Sequence, residues 1–424
     1  MGVPLRAADG GRPLRIALLS YRSKPHCGGQ GVYVRHLSRE LVALGHQVEV
    51  LSGPPYPELD PGVALTEVPS LDLYREPDPF RTPHWREFRT LVDVLEFGLM
   101  ATAAFPEPLT FSLRAARLLR SRAQRPDVVH DNQTLGYGLL ALQRAGFPVV
   151  ATVHHPITVD RRHDLAAAPG FRKRFSTWRW YSFLRMQGRV ARALPALLTV
   201  STSSYADIVR DFAVDEARLT VVPVGVETDV FVPPTAPRVR GRIVATTSAD
   251  VPMKGLVPLL EAVAKLRTER DVELVVVGRP KEGGTASRTI DRLGLEGAVR
   301  FVHGVTEAAL VDLFGSAEVA VVPSLYEGFS LPAIEAMACA TPLVATTAGA
   351  LPEVVGPDGL AALHVAPGDP EALALAIGRV LDDEELAARM GAAGRARVLE
   401  RFTWRAVAQQ TVQWYRTSLE GRAC

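Results

Sequence analysis

Two carboxylates, Glu327 and Glu335, stand eight positions apart in PSLYEGFSLPAIEAMACATPLVAT, residues 323–346, a stretch that is otherwise almost wholly apolar. A carboxylate accepts hydrogen bonds from paired hydroxyls, so each acid is a candidate grip on a diol. Between them runs Gly-Phe-Ser-Leu-Pro. The preceding VAVVPS, 319–324, reads as a buried strand, which puts the turn at a strand's C-terminal end, where open α/β sheets bind ligands. Pro332 suits the first turn of the next helix, expected over 332–339, and Ser330 suits its cap. The amides of Gly328, Phe329, Ser330 and Leu331 then point outward at a helix N-terminus, which attracts anions, phosphate above all. Acid, amides, acid matches hydroxyls, phosphates, hydroxyls. That is the layout of a nucleotide-sugar, with Glu335 on the ribose diol and Glu327 on the sugar. Either acid alone reads equally well as a solvated loop or helix residue; the pair in this frame favours a ligand.

A second phosphate-friendly feature is GGQG at 28–31, between the strand-like LRIALLS, 14–20, and a helical run ending at Gly45. Glycines there, Gly29 and Gly31 among them, let backbone amides approach a phosphate. A tight turn without ligand is the plain alternative. A nicotinamide fingerprint is excluded: the spacing is not G-x-G-x-x-G, and the second strand ends in Ser52-Gly53 rather than an acid.

These motifs need elements to hold them. In the first half HQVEVLS, PDVVHD, FPVVATVHH and ALLTVST read as buried strands alternating with helices. Residues 53–112, rich in Pro and aromatics, read as a long excursion with a strand or two and a helix around 86–103. FVPPTAPRVRGR, from 231, lacks periodicity and marks a boundary. A second alternation follows: RIVATTS, a helix at 255–269, VELVVVG, a helix near 285–293, VRFVHG, a helix at 306–316, VAVVPS, a helix, PLVAT. Near-continuous apolar strands imply sheets covered on both faces. The expected architecture is α/β: two doubly wound Rossmann-like domains facing a central cleft, over 1–235 and 236–400, with a C-terminal helix, 401–424, crossing back to the first domain.

Composition narrows the partners. The chain has 424 residues, 47% hydrophobic and 22% charged, enough for two sizeable cores. A net charge of +2 gives no general affinity for nucleic acid. Cys27, Cys339 and Cys424 are too scattered for a disulfide framework or a zinc site. With no signal-peptide core at the N-terminus and no run long enough to span a membrane, the expectation is a reduced, cytoplasmic protein, with peripheral contact at the inner face of the membrane left open.

EGFSLPAIE, with its Glu-seven residues-Glu spacing, resembles the acidic motif of the GT-B glycosyltransferases, specifically family 4, the retaining group that uses nucleotide-sugars. The likeness extends through GVTEAALVDLFGSAEVAVVPSLYEGFSLPAIEAMACATPLVATTAGALPEVV, and GGQGVYVRHLSRELVALGHQVEV matches the family's N-terminal signature. The resemblance implies a nucleoside diphosphate sugar held mainly by the second domain and an acceptor held mainly by the first. It implies that Glu335 takes the ribose, Glu327 the transferred sugar and Lys254, in VPMKG, the diphosphate. The backbone at His303–Val305 would border the base, and the GGQG turn would close on the phosphates. Lysine is scarce, five in all, which sharpens the case for Lys254 over a solvated turn residue. The family's second diphosphate cation would stand at Ala249; Arg279, after VVVG, is the candidate replacement. The family's catalytic-side histidine aligns with His154, with His155 close behind, and His130 and Asn132 fall on the acceptor side. The chain has no Asp-x-Asp, so no metal-ligand pair is evident; neither metal nor cofactor is expected, Lys254 and helix amides taking the metal's charge role.

The acceptor, whether small molecule, glycan or lipid, is not legible. FRKRFSTWRWYSFLRMQGRVARALP, 171–195, is basic with interleaved aromatics: either a core-packed helix with Arg stems outside or a helix lying on anionic lipid. The implied activity is retaining, metal-independent hexosyl transfer. A nucleotide-sugar epimerase or hydrolase and a non-catalytic binding module are the alternatives.

Overall fold

Strands of continuous Val, Ile, Leu and Ala can be satisfied only between two helical layers, and two such sheets are found. A computed structural model of the chain describes residues 11–23, 29–247 and 250–420. It divides into two compact units: residues 1–200, 204–222 and 407–424, and residues 201–203 with 223–406. The unit boundary falls at 222/223, ahead of the Pro- and Arg-rich stretch rather than at 235. The C-terminal residues that join the first unit begin at 407 rather than 401.

The first unit contains β1 (Arg15–Ser20), α1 (Gly29–Ala43), β2 (Gln47–Ser52), β3 (Ala64–Glu67), α2 (Leu91–Ala101), α3 (Glu107–Arg120), β4 (Val128–Asn132), α4 (Tyr137–Arg144), β5 (Val149–Thr152), α5 (Thr158–Ala167), α6 (Gly170–Trp180), α7 (Phe183–Ala193), β6 (Leu197–Thr199), all but the first two residues of α8 (Thr202–Phe212), and β7 (Leu219–Val221). Its sheet runs β3-β2-β1-β4-β5-β6-β7, parallel at every pairing. The strand order turns back at β1, where β1 pairs with β2 on one side and β4 on the other, Ile16 opposite both Val48 and Val128.

The second unit contains β8 (Val239–Thr246), α9 (Leu256–Leu266), β9 (Glu273–Val277), α10 (Thr285–Leu293), β10 (Val299–Val302), α11 (Glu307–Ser316), β11 (Ala317–Val322), α12 (Leu331–Ala338), β12 (Leu343–Thr346), α13 (Leu351–Val355), β13 (Ala362–Val365), α14 (Pro370–Asp382) and α15 (Glu384–Arg401); α16 (Trp404–Glu420) follows. Its parallel sheet runs β10-β9-β8-β11-β12-β13, reversing at β8. Each sheet therefore has one topological switch point, β1/β4 and β8/β11, the position at which doubly wound sheets open a ligand crevice at their carboxyl edge. Both motifs of the sequence fall there: GGQG follows β1, Lys254 follows β8 and Glu327 follows β11.

The short edge strands β7 and β13 escape a sequence reading because three or four residues carry little periodicity. The excursion 53–112 holds β3 and α2, as expected, and also the start of α3. It packs a small core of its own, Leu71, Leu73 and Tyr74 against Phe88, Phe97, Met100, Phe105 and Trp180. The basic stretch 171–195 is two helices. α7 buries Phe183, Leu184, Met186 and Val190, whereas α6 buries no residue. No helix among the described residues is long and apolar enough to cross a membrane.

Candidate active site

At the carboxyl edge of the second sheet, α12 starts at Leu331 with Pro332 in its first turn. Ile334 and Met337 are fully buried and anchor it, each contributing about 1.5–3 kcal/mol by removal from water. Its far end is held by two arginines. Arg238 donates to the carbonyls of Cys339 and Ala340 as well as Phe314, Gly315 and Ala317; Arg395 donates to Ala338. Arg238 lies in the stretch that reads as a linker in sequence. It is instead a staple for the C-terminal carbonyls of α11 and α12, which a helix leaves unpaired.

The N-terminus of α12 is not capped. Ser330 occupies the cap position, but with φ of 103° its side chain makes no capping bond. Its hydroxyl is buried without a partner among the described residues. The expectation that Ser330 caps the helix is thus corrected: the left-handed backbone turns the hydroxyl away, at about 1–3 kcal/mol of strain. The consequence is chemical. Among the described residues no group accepts from the amides of Phe329, Ser330 or Leu331. Phe329 is buried, its ring edge-on to Phe402 with centroids 5.8 Å apart, and fixes the loop. Gly328 makes protein contacts of its own.

Glu327 is buried, 8% exposed. Its Oε1 accepts from Lys254 Nζ at 2.8 Å and from Ser324 Oγ at 2.8 Å. The acid expected on the sugar and the lysine expected on the diphosphate are therefore ion-paired to one another. An ammonium has three donors, so Lys254 keeps two for a phosphate, and the carboxylate keeps its second oxygen. Two glycines make this approach possible. Gly255, at φ +68°, lies so close to the Pro323 carbonyl that a Cβ would sit 1.8 Å from it. Gly349, at φ +56°, would place one 2.1 Å from the Glu327 carbonyl. Neither position tolerates a side chain.

Glu335 is half-buried on α12, and its carboxylate has no hydrogen-bond or ionic partner among the described residues. Burial, with Glu307 adding like charge, pushes its pKa up to about 7. A desolvated, unpaired carboxylate is costly unless something else satisfies it.

Arg279 is exposed beyond the end of β9 and forms no ion pair among the described residues. Its loop is tied down by Asp250, whose carboxylate accepts from the amides of Lys281 and Ala286. Those amides outweigh the effect of burial and hold Asp250 below the usual carboxylate range. Asp250 thereby fastens the loop after β9 to the loop after β8, which carries Lys254. Sequence spacing gave Asp250 no role, because its partners lie some thirty residues away in backbone amides. Ala249 itself lies outside the described residues. Val305 follows β10, so strand order β10-β9-β8-β11 lays Val305, Arg279, Lys254 and Glu327 along one edge.

In the first unit, Gly28 of GGQG lies outside the described residues, and Gly29 to Gly31 form the first turn of α1. First-turn amides have no intrahelical acceptor, so the anion argument carries over to them. Asn132 ends β4, and its Oδ1 faces His154 Nε2 at 2.7 Å while its Nδ2 reaches the Gln30 carbonyl at 3.5 Å. With that amide orientation His154 carries its proton on Nε2, leaving Nδ1 as a bare lone pair. Tyr33 braces the imidazole edge-on, with centroids 4.8 Å apart, and Gln133 accepts from the His154 amide. Burial, with His155 adding, pushes the His154 pKa down to about 3, so the ring is neutral at physiological pH. Asn132, His154 and the start of α1 are thus brought together. His155 instead faces Asp160 at 3.7 Å, and its carbonyl accepts from Gln133.

His130 is a correction. It is fully buried, with Nδ1 2.6 Å from Tyr415 Oη and Nε2 2.7 Å from Thr152 Oγ1. Both nitrogens are occupied, and burial lowers its pKa to about 3. It is a core histidine that ties α16 to the sheet, with no face for an acceptor.

Comparison with known proteins gives the family. Residues 27–230 match the model described as Glycosyltransferase Family 4, and residues 232–397 that described as Glycosyl transferases group 1. The chain belongs to the family 4 glycosyltransferases, enzymes of the GT-B fold with two Rossmann-like units. It is 58% identical to the MMP alpha-(1->4)-mannosyltransferase of Mycolicibacterium hassiacum, over 96% of this chain and 98% of that one. It is 31% identical to a D-inositol 3-phosphate glycosyltransferase of Catenulispora acidiphila, over 96% of each. Among solved structures, sucrose-phosphate synthase from Thermosynechococcus elongatus superposes with a TM-score of 0.71 at 24% identity, over 96% of this chain and 99% of that one. Anabaena HepE, in complex with UDP-glucose, superposes at 0.67 and 16% identity, over 95% and 100%.

Proposed function

We propose that this glycosyltransferase is a retaining hexosyltransferase that takes its sugar from a nucleoside diphosphate donor, the sugar being mannose by analogy with its 58%-identical relative. The observation that carries the donor reading is Glu335. Among the described residues it is a half-buried carboxylate without a protein partner, on a helix whose first amides are uncommitted and whose neighbouring loop holds the Lys254–Glu327 pair. A ribose diol satisfies Glu335, a diphosphate satisfies the amides of 329–331, and the sugar's hydroxyls meet the free oxygen of Glu327. Lys254 and Arg279 add positive charge where the leaving diphosphate develops negative charge, in the role a metal ion takes elsewhere. The bond from the anomeric carbon to the diphosphate oxygen breaks and a bond to the acceptor oxygen forms on the same face. The acceptor's proton passes to the departing phosphate oxygen. His154, neutral, accepts a sugar hydroxyl at Nδ1, and Asn132 fixes its tautomer. No resident cofactor or metal is required by this scheme.

The test is transfer by the purified protein. UDP-, GDP- and ADP-mannose are screened by thermal shift, and the stabilising donor is incubated with saccharide acceptors in the presence of EDTA. The expected product keeps the donor's anomeric configuration by NMR. Free sugar or an epimer from donor alone would favour the hydrolase or epimerase alternative. Stabilisation by a donor without turnover over the whole acceptor panel would favour a binding module.

A second reading concerns α6. Phe171, Phe175 and Trp178 lie on one face, 83%, 55% and 42% exposed. Residues 165–206 contain seven cations and no carboxylate. Peripheral contact of this face with anionic lipid follows. Co-sedimentation with phosphatidylglycerol vesicles, lost on Phe171→Ser with Phe175→Ser, tests it.

A further inference from the structure

The face of α6 opposite that aromatic triplet lines an open cavity of about 650 Å³ at the surface of the first unit. Its walls come from segments distant in sequence: Phe80 and Met100 from the excursion, Asp164 from α5, Lys173 and Trp180 from α6, and Tyr181 just beyond. The excursion is otherwise unassigned to any part of the reaction.

The cavity is connected to the sheet edge that carries the catalytic-side residues. Tyr21 directly follows β1; its ring meets Phe105 at 6.4 Å, and Phe105 meets Trp180 at 5.0 Å. α5, which carries Asp164, starts three residues after His155. Asp164 lies six residues along that helix, about 9 Å from its first residue.

The lining has a particular chemistry. Phe80 is 59% exposed and sits at φ +66°, a conformation that a bulky residue rarely adopts. Its amide is held there by the Leu73 carbonyl at 2.7 Å. Its ring lies 6.2 Å from that of Trp180 at 58°. Around these rings stand polar groups. Tyr181 Oη donates to Asp164 Oδ2 at 2.6 Å, leaving the other carboxylate oxygen open. Lys173 is exposed and has no partner among the described residues, and Ser176 and Thr177 add hydroxyls. Ring faces rimmed by hydrogen-bonding groups suit a pyranose, which has apolar C–H faces and a hydroxyl perimeter. Asp164 and Lys173 are exposed, and a hydrocarbon tail would make no use of their hydrogen-bonding groups. A phosphate would meet the Asp164 carboxylate.

We propose that this cavity is a saccharide subsite that holds a remote unit of an oligosaccharide acceptor, away from the hydroxyl that is glycosylated. The proposal rests on the glycosyltransferase reading above and extends it to the acceptor: the enzyme elongates a chain, and the 53–112 excursion measures it.

The experiment uses α-(1→4)-linked manno-oligosaccharides of increasing length with the wild type, Phe80→Ala, and Phe80→Tyr, which keeps a ring. For the wild type the acceptor KM falls as the chain lengthens. Phe80→Ala raises KM for long chains about fivefold to tenfold, leaves kcat and the KM of the shortest acceptor unchanged, and Phe80→Tyr restores the wild-type value. A wild-type KM independent of length, or a Phe80→Ala loss equal for short and long chains, overturns the subsite. Saturation-transfer NMR with the longest oligosaccharide and no donor reads the cavity independently of turnover. Contact there that Phe80→Ala removes upholds the subsite even if no transfer is seen, whereas contact that survives Phe80→Ala overturns it. Because the ring is exposed, the melting temperature of Phe80→Ala should match the wild type, so an effect on KM is not a folding defect.

Discussion

The two sheet edges bring their chemistry together in different ways. In the second unit the acids, the amides and the helix start are contiguous, Glu327 to Glu335, and only Lys254, Arg279 and Asp250 arrive from elsewhere. In the first unit the residues come from three separate segments. Gln30, Tyr33, Asn132, Gln133 and His154 come from α1, β4 and the ends of β4 and β5, and they act through bonds to one another. A charged substrate group needs an array of dipoles held rigidly by one element, and a helix N-terminus supplies it. A neutral hydroxyl needs one nitrogen in the right tautomer, and that is fixed by neighbours. The first arrangement should fail residue by residue, the second as a unit.

The largest expected effect follows from the charge role proposed for Lys254. Lys254→Ala should lower kcat about a hundredfold, comparable to removing one group that stabilises transition-state charge. It also leaves Glu327 buried without its cation. A kcat within threefold of wild type would remove Lys254 from the leaving-group role. Next comes the staple. Arg238→Ala strips five backbone carbonyls of a charged donor and should destabilise the protein by about 2–3 kcal/mol, lowering Tm by roughly 5 °C. Differential scanning calorimetry reads the loss, and weaker donor binding should accompany it if α12 is positioned by that contact.

The pH dependence sharpens the same side. Glu335 is raised to about 7 by burial, above its unfolded value. A raised carboxyl is protonated in the folded protein at low pH, and folding loses stability as pH rises through about 7. Ribose hydroxyls donate to the ionised form, so donor affinity should rise several-fold from pH 6 to pH 8. Isothermal titration should show this for the wild type and a flat profile for Glu335→Gln. On the first-unit side, His154 is lowered to about 3, so no limb of the pH–rate profile between pH 5 and 9 should belong to it. His154→Ala and Asn132→Ala should each cost several-fold in kcat/KM, and the double variant little more than either alone. Additive losses would break the contrast between the two edges.

How much was legible follows the same division. The alternation of apolar strands and helices is a local signal and was read for most elements, as was the helix after the acidic turn. EGFSLPAIE was legible because its parts are neighbours in the chain. At Ser330 the sequence misleads, since a cap-type residue at a cap position gives no hint of a left-handed backbone. At His130 it misleads as well. A histidine at a strand end facing a crevice and one facing the core look alike until Tyr415, far along the chain, is seen on its nitrogen. Arg238 looked like linker because its partners are carbonyls, which carry no sequence signature.

By itself, the sequence determined two parallel α/β sheets, the placing of a helix start between two acids, and the family whose motif that arrangement resembles. Patterning and turn chemistry act over a few residues and survive being written as a string. Tertiary structure alone decided that, among the described residues, Glu335 has no partner while Glu327 has two, that Asp250 ties Arg279's loop to that of Lys254, and that Phe80 meets Trp180 over a cavity. Desolvation, pairing and tautomer depend on which distant groups share a volume, and only the folded chain brings those groups within reach of one another.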